Sequence, residues 1–88
     1  MKVVVEAYGA LREKLGWSKK TIEIPSGHAM LGQVLEKLGI AEIVLEDSRI
    51  REGFIVLVNG IHAQFTGQGE TPIRDGDVIS IFPPGGGG

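Results

Sequence analysis

The chain of 88 residues contains no cysteine, which excludes disulfides, cysteine-ligated zinc and a thiol nucleophile. Its 11 acidic and 9 basic side chains form no basic stripe, so nucleic acid is not an expected partner. No signal peptide is present, and no apolar run approaches the ~20 residues that cross a bilayer. We therefore expect a cytoplasmic protein that binds neither nucleic acid nor membrane.

The sequence also lacks the common motifs of catalysis. It has no phosphate-binding loop, no HExxH helix and no nucleophile elbow. The segment Gly67-Gln68-Gly69 lacks the strand–turn–helix context that a phosphate loop needs. His28 and His62 lie far apart in a chain without cysteine, so no metal site is expected.

Glycine, in contrast, is abundant, with 14 residues among 88, about twice the usual frequency. Four of them, Gly85 to Gly88, follow Pro83-Pro84 at the C-terminus. A tail without Cβ atoms adopts almost any backbone conformation and lets a partner approach closely. This suits a terminal carboxylate that enters another enzyme's active site. On the tail alone, a cloning remnant or a frayed end remains an alternative.

Alternating and β-branched apolar segments predict five strands, at Lys2–Tyr8, Lys20–Ile24, Phe54–Val58, Ile61–Phe65 and Val78–Phe82. The third is continuously apolar, which predicts a central strand covered on both faces. Asn59-Gly60 predicts a tight hairpin turn, Thr66–Glu70 predicts a polar loop, and Arg74–Asp77 predicts another turn.

Helical spacing of apolar residues predicts one main helix over Ala29–Leu38, with Ser26 as its N-cap and Gly39 just after its end. The core residues predicted on this helix are Met30, Val34, Leu35 and Leu38. Leu11–Gly16 predicts one or two further helical turns. Residues 40–53 show no clean period, which indicates a loop with a short helix or strand.

The order β-β-α-β-β-β predicts an α+β fold of the β-grasp (ubiquitin-like) type. A mixed sheet packs on one main helix, and its two terminal strands lie parallel in the middle. Residues 1–84 form the domain, and residues 85–88 form a flexible glycine tail.

One helix covers one sheet face only, and we expect it to cover Val3, Val5 and Ala7. The opposite face also carries apolar side chains, at Val4, Tyr8, Ile55, Leu57, Val78 and Phe82. This is more than a monomer usually exposes, which indicates a docking face for a partner. Coverage by residues 40–53 and dimerisation are the alternatives.

The C-terminal segment carries a family pattern. Arg74 to Pro84, followed by terminal glycines, resembles the end of the MoaD/ThiS sulfur carriers, which is a DGD turn, an apolar strand, Phe-Pro-Pro, a spacer and Gly-Gly. Val58-Asn59-Gly60 matches the family's V-N-G turn, and Tyr8 to Gly16 resembles its first loop. The resemblance covers essentially the whole chain.

Two departures from that pattern stand out. Gly85 and Gly86 replace two spacer residues that are usually not glycine. Ordering such a tail costs more entropy, about 0.5–1 kcal/mol per residue. The stretch from Gln64 to Pro72 is longer than usual, which predicts a larger surface loop.

The resemblance implies a function for the tail. A ubiquitin-activating-type enzyme (MoeB/ThiF-like) would use ATP to adenylate the carboxylate of Gly88, and a sulfur donor would then produce a thiocarboxylate. The tail, Gly85, Gly86 and Gly87, would enter the large subunit of molybdopterin synthase (MoaE-like), where sulfur passes to a pterin precursor. The chain would be a non-catalytic small subunit or co-substrate that binds no cofactor itself.

Strand alternation and the resemblance together imply a set of docking residues, namely Tyr8, Arg12, His62, Phe82, Pro83 and Pro84. Tyr8 and Phe82 could instead be edge-of-core residues, Arg12 a solvated charge and His62 a surface turn residue. Three other functions stay open from the sequence. These are a ubiquitin-like modifier of lysines, a thiamin-pathway sulfur carrier, and an interaction domain without tail chemistry. The sequence also leaves open whether molybdenum or tungsten is the final metal.

Overall fold

The computed structural model describes residues 1–85. Within that range the strands are β1 (Lys2–Ala7), β2 (Lys19–Glu23), β3 (Ala29–Met30), β4 (Leu45–Glu46), β5 (Arg49–Ile50), β6 (Ile55–Val58), β7 (Ile61–His62), β8 (Pro72–Ile73) and β9 (Val78–Phe82). The α-helices are α1 (Gly9–Leu15), α2 (Leu31–Lys37) and α3 (Ala41–Val44), and short 3-10 turns span Ala63–Phe65 and Gln68–Glu70.

The main sheet has the order β2-β1-β9-β6-β7. β1 and β9 run parallel at its centre, with Val5 opposite Ile79, and their other neighbours are antiparallel. The predicted β-grasp arrangement, with terminal strands side by side, is confirmed. β6 is an interior strand as predicted. The prediction that both of its faces are covered is wrong, because the Ile55 side chain is 44% exposed.

The main helix begins later than its sequence predicts. Ala29 and Met30 form β3 and pair with Ile73 and Pro72, which keeps them extended. The predicted N-cap at Ser26 is wrong, since its hydroxyl donates to the carbonyl of His28 at 2.7 Å.

The backbone amide of Met30, at the N-terminus of α2, instead donates to the side-chain oxygen of Gln33 at 2.7 Å. This is the reciprocal arm of a capping box. Met30 was predicted in the core but is 42% exposed, because strand pairing turns it outward. Leu38 is only half-buried, whereas Val34 and Leu35 are fully buried.

The end of α2 falls at the predicted glycine. Gly39 has φ of 75°, a left-handed conformation that glycine adopts without steric cost. Its amide donates to Glu36, and the Ile40 amide donates to Leu35, both at 2.9 Å. This is the Schellman pattern that satisfies the last helical carbonyls.

The core lies between α2 and one face of the main sheet. Its fully buried side chains include Val3, Val5, Leu31, Val34, Leu35, Val44, Val56, Ile73, Ile79 and Ile81. Residues 40–53 contribute α3, β4 and β5, and the buried Val44 and Leu45 belong to this same core beside α2. The segment therefore covers the helical side and leaves the opposite sheet face open.

The predicted strand Ile61–Phe65 is only two residues long. After His62 the chain turns into the 3-10 segment Ala63–Phe65. The buried Ala63 has its carbonyl bonded by the Thr71 hydroxyl at 3.3 Å. The inward turn at Ala63 ends the strand early.

The predictions for Gly86, Gly87 and Gly88 lie outside the described residues. Among residues 1–85, no helix is long and apolar enough to cross a membrane.

Candidate functional site

The candidate site is the sheet edge where β9 ends and the tail begins. β9 is paired to both neighbours up to its last residue: the Tyr8 amide donates to the Ile81 carbonyl at 3.1 Å, and Phe82 pairs with Ile55. Pro83 and Pro84 follow directly, and proline has no amide hydrogen to continue a strand ladder. The sheet thus holds the chain firmly up to Phe82 and stops there.

Each proline lies against a glycine that is close in sequence to a strand flanking β9. A Cβ built on Gly9, just after β1, would lie 3.5 Å from Pro83 Cγ. A Cβ on Gly53, just before β6, would lie 2.9 Å from Pro84 Cβ. Pro83 and Pro84, which lead into the glycine tail, are therefore packed beside the end of β1 and the start of β6.

Tyr8 and Phe82 form the aromatic part of the site. Their rings stack with centroids 4.5 Å apart and an interplanar angle of 10°. Tyr8 is 39% exposed and Phe82 is half-buried, on the face opposite α2. The stack lies on the open face at the base of the tail, as strand alternation predicts.

A carboxylate, Glu6, lies on this face beside the apolar side chains. Glu6 Oε1 accepts from the Tyr8 hydroxyl at 2.9 Å and from the Ser80 hydroxyl at 3.2 Å. Sequence reasoning missed Glu6 and Ser80. The alternation of β1 and β9 could have placed both on the open face, since Glu6 is opposite Ser80 across the parallel pair.

This hydrogen bond from Tyr8 to Glu6 raises the pKa of the tyrosine, with desolvation and the carboxylate charge adding to it. Because Tyr8 is the only tyrosine of the chain, phenolate absorbance reports this group alone. We expect a titration midpoint above the ordinary tyrosine value, and a lower midpoint in Glu6→Gln, which removes the charge.

The sign of the accompanying stability change follows from linkage. A raised folded-state pKa means that the native state keeps its proton longer, so the stability that the bond adds is present at neutral pH. It is lost as the pH rises through the folded-state pKa. An unshifted midpoint in the wild type, with the fold intact by circular dichroism, would contradict the bond.

Arg12 and His62 lie on two further elements, α1 and β7. Arg12 is exposed on α1, one turn after Tyr8, whose carbonyl accepts from the Arg12 amide at 3.3 Å. His62 is exposed on β7 opposite Leu57, at the far edge of the open face. Its ring lies 6.0 Å from that of Phe65, which is 80% exposed. Sequence reasoning placed Phe65 in a strand and missed this exposure.

The two turns that carry the family resemblance, at Asn59-Gly60 and Asp75-Gly76-Asp77, meet at the start of β9. The Asn59 amide group donates to Asp77 Oδ1 at 2.8 Å, and Asn59 Oδ1 accepts from the Val78 amide at 2.9 Å. Asp77 Oδ2 also accepts from the Arg74 amide at 2.8 Å. Asn59 and Gly60 have φ of 52° and 83°, as the predicted hairpin turn requires. These residues fix the start of β9 and have no chemistry of their own.

The described residues hold no group of three or more histidine, aspartate or glutamate side chains that could bind a metal. The candidate site therefore consists of the open face, the aromatic stack and the proline exit. Residues 5–88 match the model of the ThiS family. The chain belongs to the ThiS family.

Two relatives match this chain over its full length. The chain is 30% identical over 93 residues to small archaeal modifier protein 3 of Haloferax volcanii, covering all of both chains. The crystal structure of small archaeal modifier protein 1 from the same organism superposes with a TM-score of 0.78, at 26% identity and full coverage of both chains.

A third comparison is with a solved structure from another organism. A Pyrococcus furiosus structure, provisionally assigned as molybdopterin converting factor subunit 1, has a TM-score of 0.69 and 26% identity, over 96% of this chain and 98% of that one. The chain is therefore a sulfur-carrier or ubiquitin-like protein of the ThiS family.

Proposed function

We propose that this ThiS-family protein is a sulfur carrier for molybdopterin synthesis, with the carboxylate of Gly88 as its reactive group. The observation that carries the proposal is the exit of the tail. Phe82 and Tyr8 stack on an open face, and the chain leaves that face through Pro83 and Pro84. An enzyme that docks on this face receives the tail at a defined point.

The chemistry takes place at the carbonyl carbon of Gly88. A carboxylate oxygen attacks the α-phosphorus of ATP in a ubiquitin-activating-type enzyme, the α–β phosphoanhydride bond breaks, and pyrophosphate leaves. A sulfur donor then supplies a hydrosulfide or a persulfide, whose sulfur attacks the acyl carbon. The bond to AMP breaks, AMP carries away the electron pair, and the thiocarboxylate remains. With a persulfide donor, a thiol must cleave the resulting acyl disulfide by exchange to release the thiocarboxylate.

In molybdopterin synthase the large subunit would then accept the tail. The thiocarboxylate sulfur bonds to a carbon of the pterin precursor as an oxygen substituent leaves that carbon. Water then cleaves the acyl–sulfur bond, which leaves the sulfur on the pterin and restores the carboxylate for recharging. Apart from its terminal carboxylate and thiocarboxylate, the chain contributes no acid, base or nucleophile to these steps. It binds no cofactor in this scheme, and ATP is used by the activating partner. Residues 1–84 act as the folded carrier, and residues 85–88 act as the arm.

The geometry of the open face supports the proposed docking roles. Tyr8 and Phe82 supply aromatic area next to the exit, the kind of side chain that dominates interface energy. Arg12 supplies a cation one helical turn away, and His62 marks the far border of the face. Since the activating enzyme and the synthase subunit both need this face and the same arm, they must bind in turn.

A second function is favoured by one specific observation, the match to small archaeal modifier protein 3 over the whole chain. In a modifier, the amine of a lysine attacks the activated acyl carbon of Gly88 and an amide forms. Adenylation is common to both functions, so the open face and the exit serve either one. The two functions differ in the nucleophile that attacks the acyl-adenylate, which is sulfur for the carrier and a lysine amine for the modifier.

The experiment supplies the full chain with ATP, sulfide and the activating enzyme of the same organism, and measures intact mass. We expect a species in which one terminal oxygen is replaced by sulfur. Incubation of that species with the large synthase subunit and the pterin precursor should return the free acid and yield molybdopterin.

Three results would contradict the proposal in different ways. Isopeptide adducts at Gly88 in native cells, without a sulfur form, would favour the modifier. Sulfur loading without transfer to the pterin would favour another acceptor, such as the thiamin pathway. A chain that remains the free acid throughout would leave the open face as an interaction surface without tail chemistry.

A further inference from the structure

Gly53 lies directly against Pro84. Among the glycines of the described residues, it is the one whose added Cβ would come closest to the prolines after β9. A Cβ at Gly53 would lie 2.9 Å from Pro84 Cβ, 3.0 Å from its Cγ and 3.5 Å from its Cα. The corresponding Cβ at Gly9 would be in ordinary contact with Pro83, at 3.5 Å. Of the two glycines that lie against the prolines, only Gly53 has no room for a Cβ unless its neighbour shifts.

We infer that Gly53 is a positioning residue for the tail, which sets the direction in which the chain leaves the sheet beyond Pro84. The inference rests on the proposed function and adds the residue that aims the reactive end. Gly53 belongs to the turn before β6, so the strand beside β9 supplies the surface against which the tail lies.

The rigidity of proline makes this contact effective. The pyrrolidine ring joins Cα to the backbone nitrogen and locks φ, so it cannot rotate away from a new methyl group as a free side chain would. Phe82 is held by pairing with Ile55, which keeps the chain before the prolines in place. An added methyl group at position 53 therefore displaces Pro84 and changes the direction in which the chain leaves the sheet at that point.

Misdirection of a reacting group has large kinetic effects. A displacement of about 1 Å can lower a rate by about 100-fold. The docking face stays intact, because its aromatic stack belongs to Tyr8 and Phe82. A side chain at position 53 should thus lower kcat for adenylation and leave KM for the chain nearly unchanged.

The test measures ATP-dependent acyl-adenylate formation by the activating enzyme, with the full chain as the varied substrate. We expect Gly53→Ala to lower kcat by about 10-fold to 100-fold, with KM within about two-fold of wild type. The matched control is Gly76→Ala. Gly76 has φ of 87° against 91° for Gly53, and its added Cβ would meet nothing within 4 Å.

Gly53→Ala and Gly76→Ala should lower Tm similarly, because both place alanine at a similar positive φ. Only Gly53→Ala should lower kcat. A second comparison uses Pro84→Gly, which removes the ring. In that background we expect Gly53→Ala to cause no further loss of kcat, since the ring that it displaces is gone.

The outcomes separate this inference from the proposed function. Wild-type kcat in Gly53→Ala, or the same loss with and without Pro84, would overturn the positioning role while leaving the carrier function intact. Loss of kcat in Gly76→Ala to the same extent would assign the effect to backbone strain and also overturn it. No adenylation of the wild type would instead refute the proposed function.

Discussion

Deletion of Gly87 and Gly88 is expected to lower acyl-adenylate formation by about 10³-fold or more, which corresponds to about 4 kcal/mol. Each residue spans at most about 3.3–3.6 Å, so the shortened chain presents its carboxylate about 7 Å before the position that the full tail reaches. A reacting group so far out of place loses the benefit of orientation almost completely. The measurement is pyrophosphate release with the activating enzyme.

The control for this deletion keeps the tail and changes the docking face. Phe82→Ala removes half of the aromatic stack with Tyr8, and we expect KM for the chain to rise by about 10-fold, as for an aromatic interface anchor. Its kcat should change little. Adenylation of the truncated chain at the wild-type rate would refute any role for the terminal carboxylate.

Leu35→Ala is expected to cause the largest loss of stability, about 3 kcal/mol. Leu35 is fully buried on α2, in the core under the sheet. Alanine is an excellent helix former, so the loss reports packing and not helix propensity. An 88-residue chain has only about 4–13 kcal/mol of stability in total. We expect Tm to fall by about 12–24 °C.

The matched control is Glu36→Ala, the exposed neighbour on the same helix. It should change the free energy of unfolding by about 0.5 kcal/mol or less, as surface substitutions usually do. Both variants are compared by chemical denaturation with the same m-value. Equal stability of Leu35→Ala and Glu36→Ala would mean that α2 does not cover the core as described.

The features that local sequence could predict are those with short-range causes. Asn59-Gly60 specifies its turn because both residues tolerate positive φ. Gly39 ends α2 for the same reason, and Val3 and Val5 alternate inward along β1. The family pattern at the C-terminus adds the direction of β9 and the identity of the reactive end.

The features that were predicted wrongly have long-range causes. Met30 fits a helical period, yet Ala29 and Met30 are extended because they pair with Pro72 and Ile73, more than forty positions later. The strand after the hairpin turn ends early because Thr71 bonds to the carbonyl of Ala63. The partners of Ala29 and Met30 lie outside the window over which a helical period is judged, whereas Thr71 lies beyond the end of the predicted strand.

The sequence by itself determined the fold class, the family and the open apolar face, because alternation, turn chemistry and the C-terminal pattern are written in neighbouring residues. The tertiary structure alone decided that Tyr8 stacks on Phe82, that Glu6 joins Tyr8 to Ser80, and that Gly53 lies against Pro84. Most of these contacts join residues far apart in the chain, and they exist only after β1 and β6 have paired with β9 on either side.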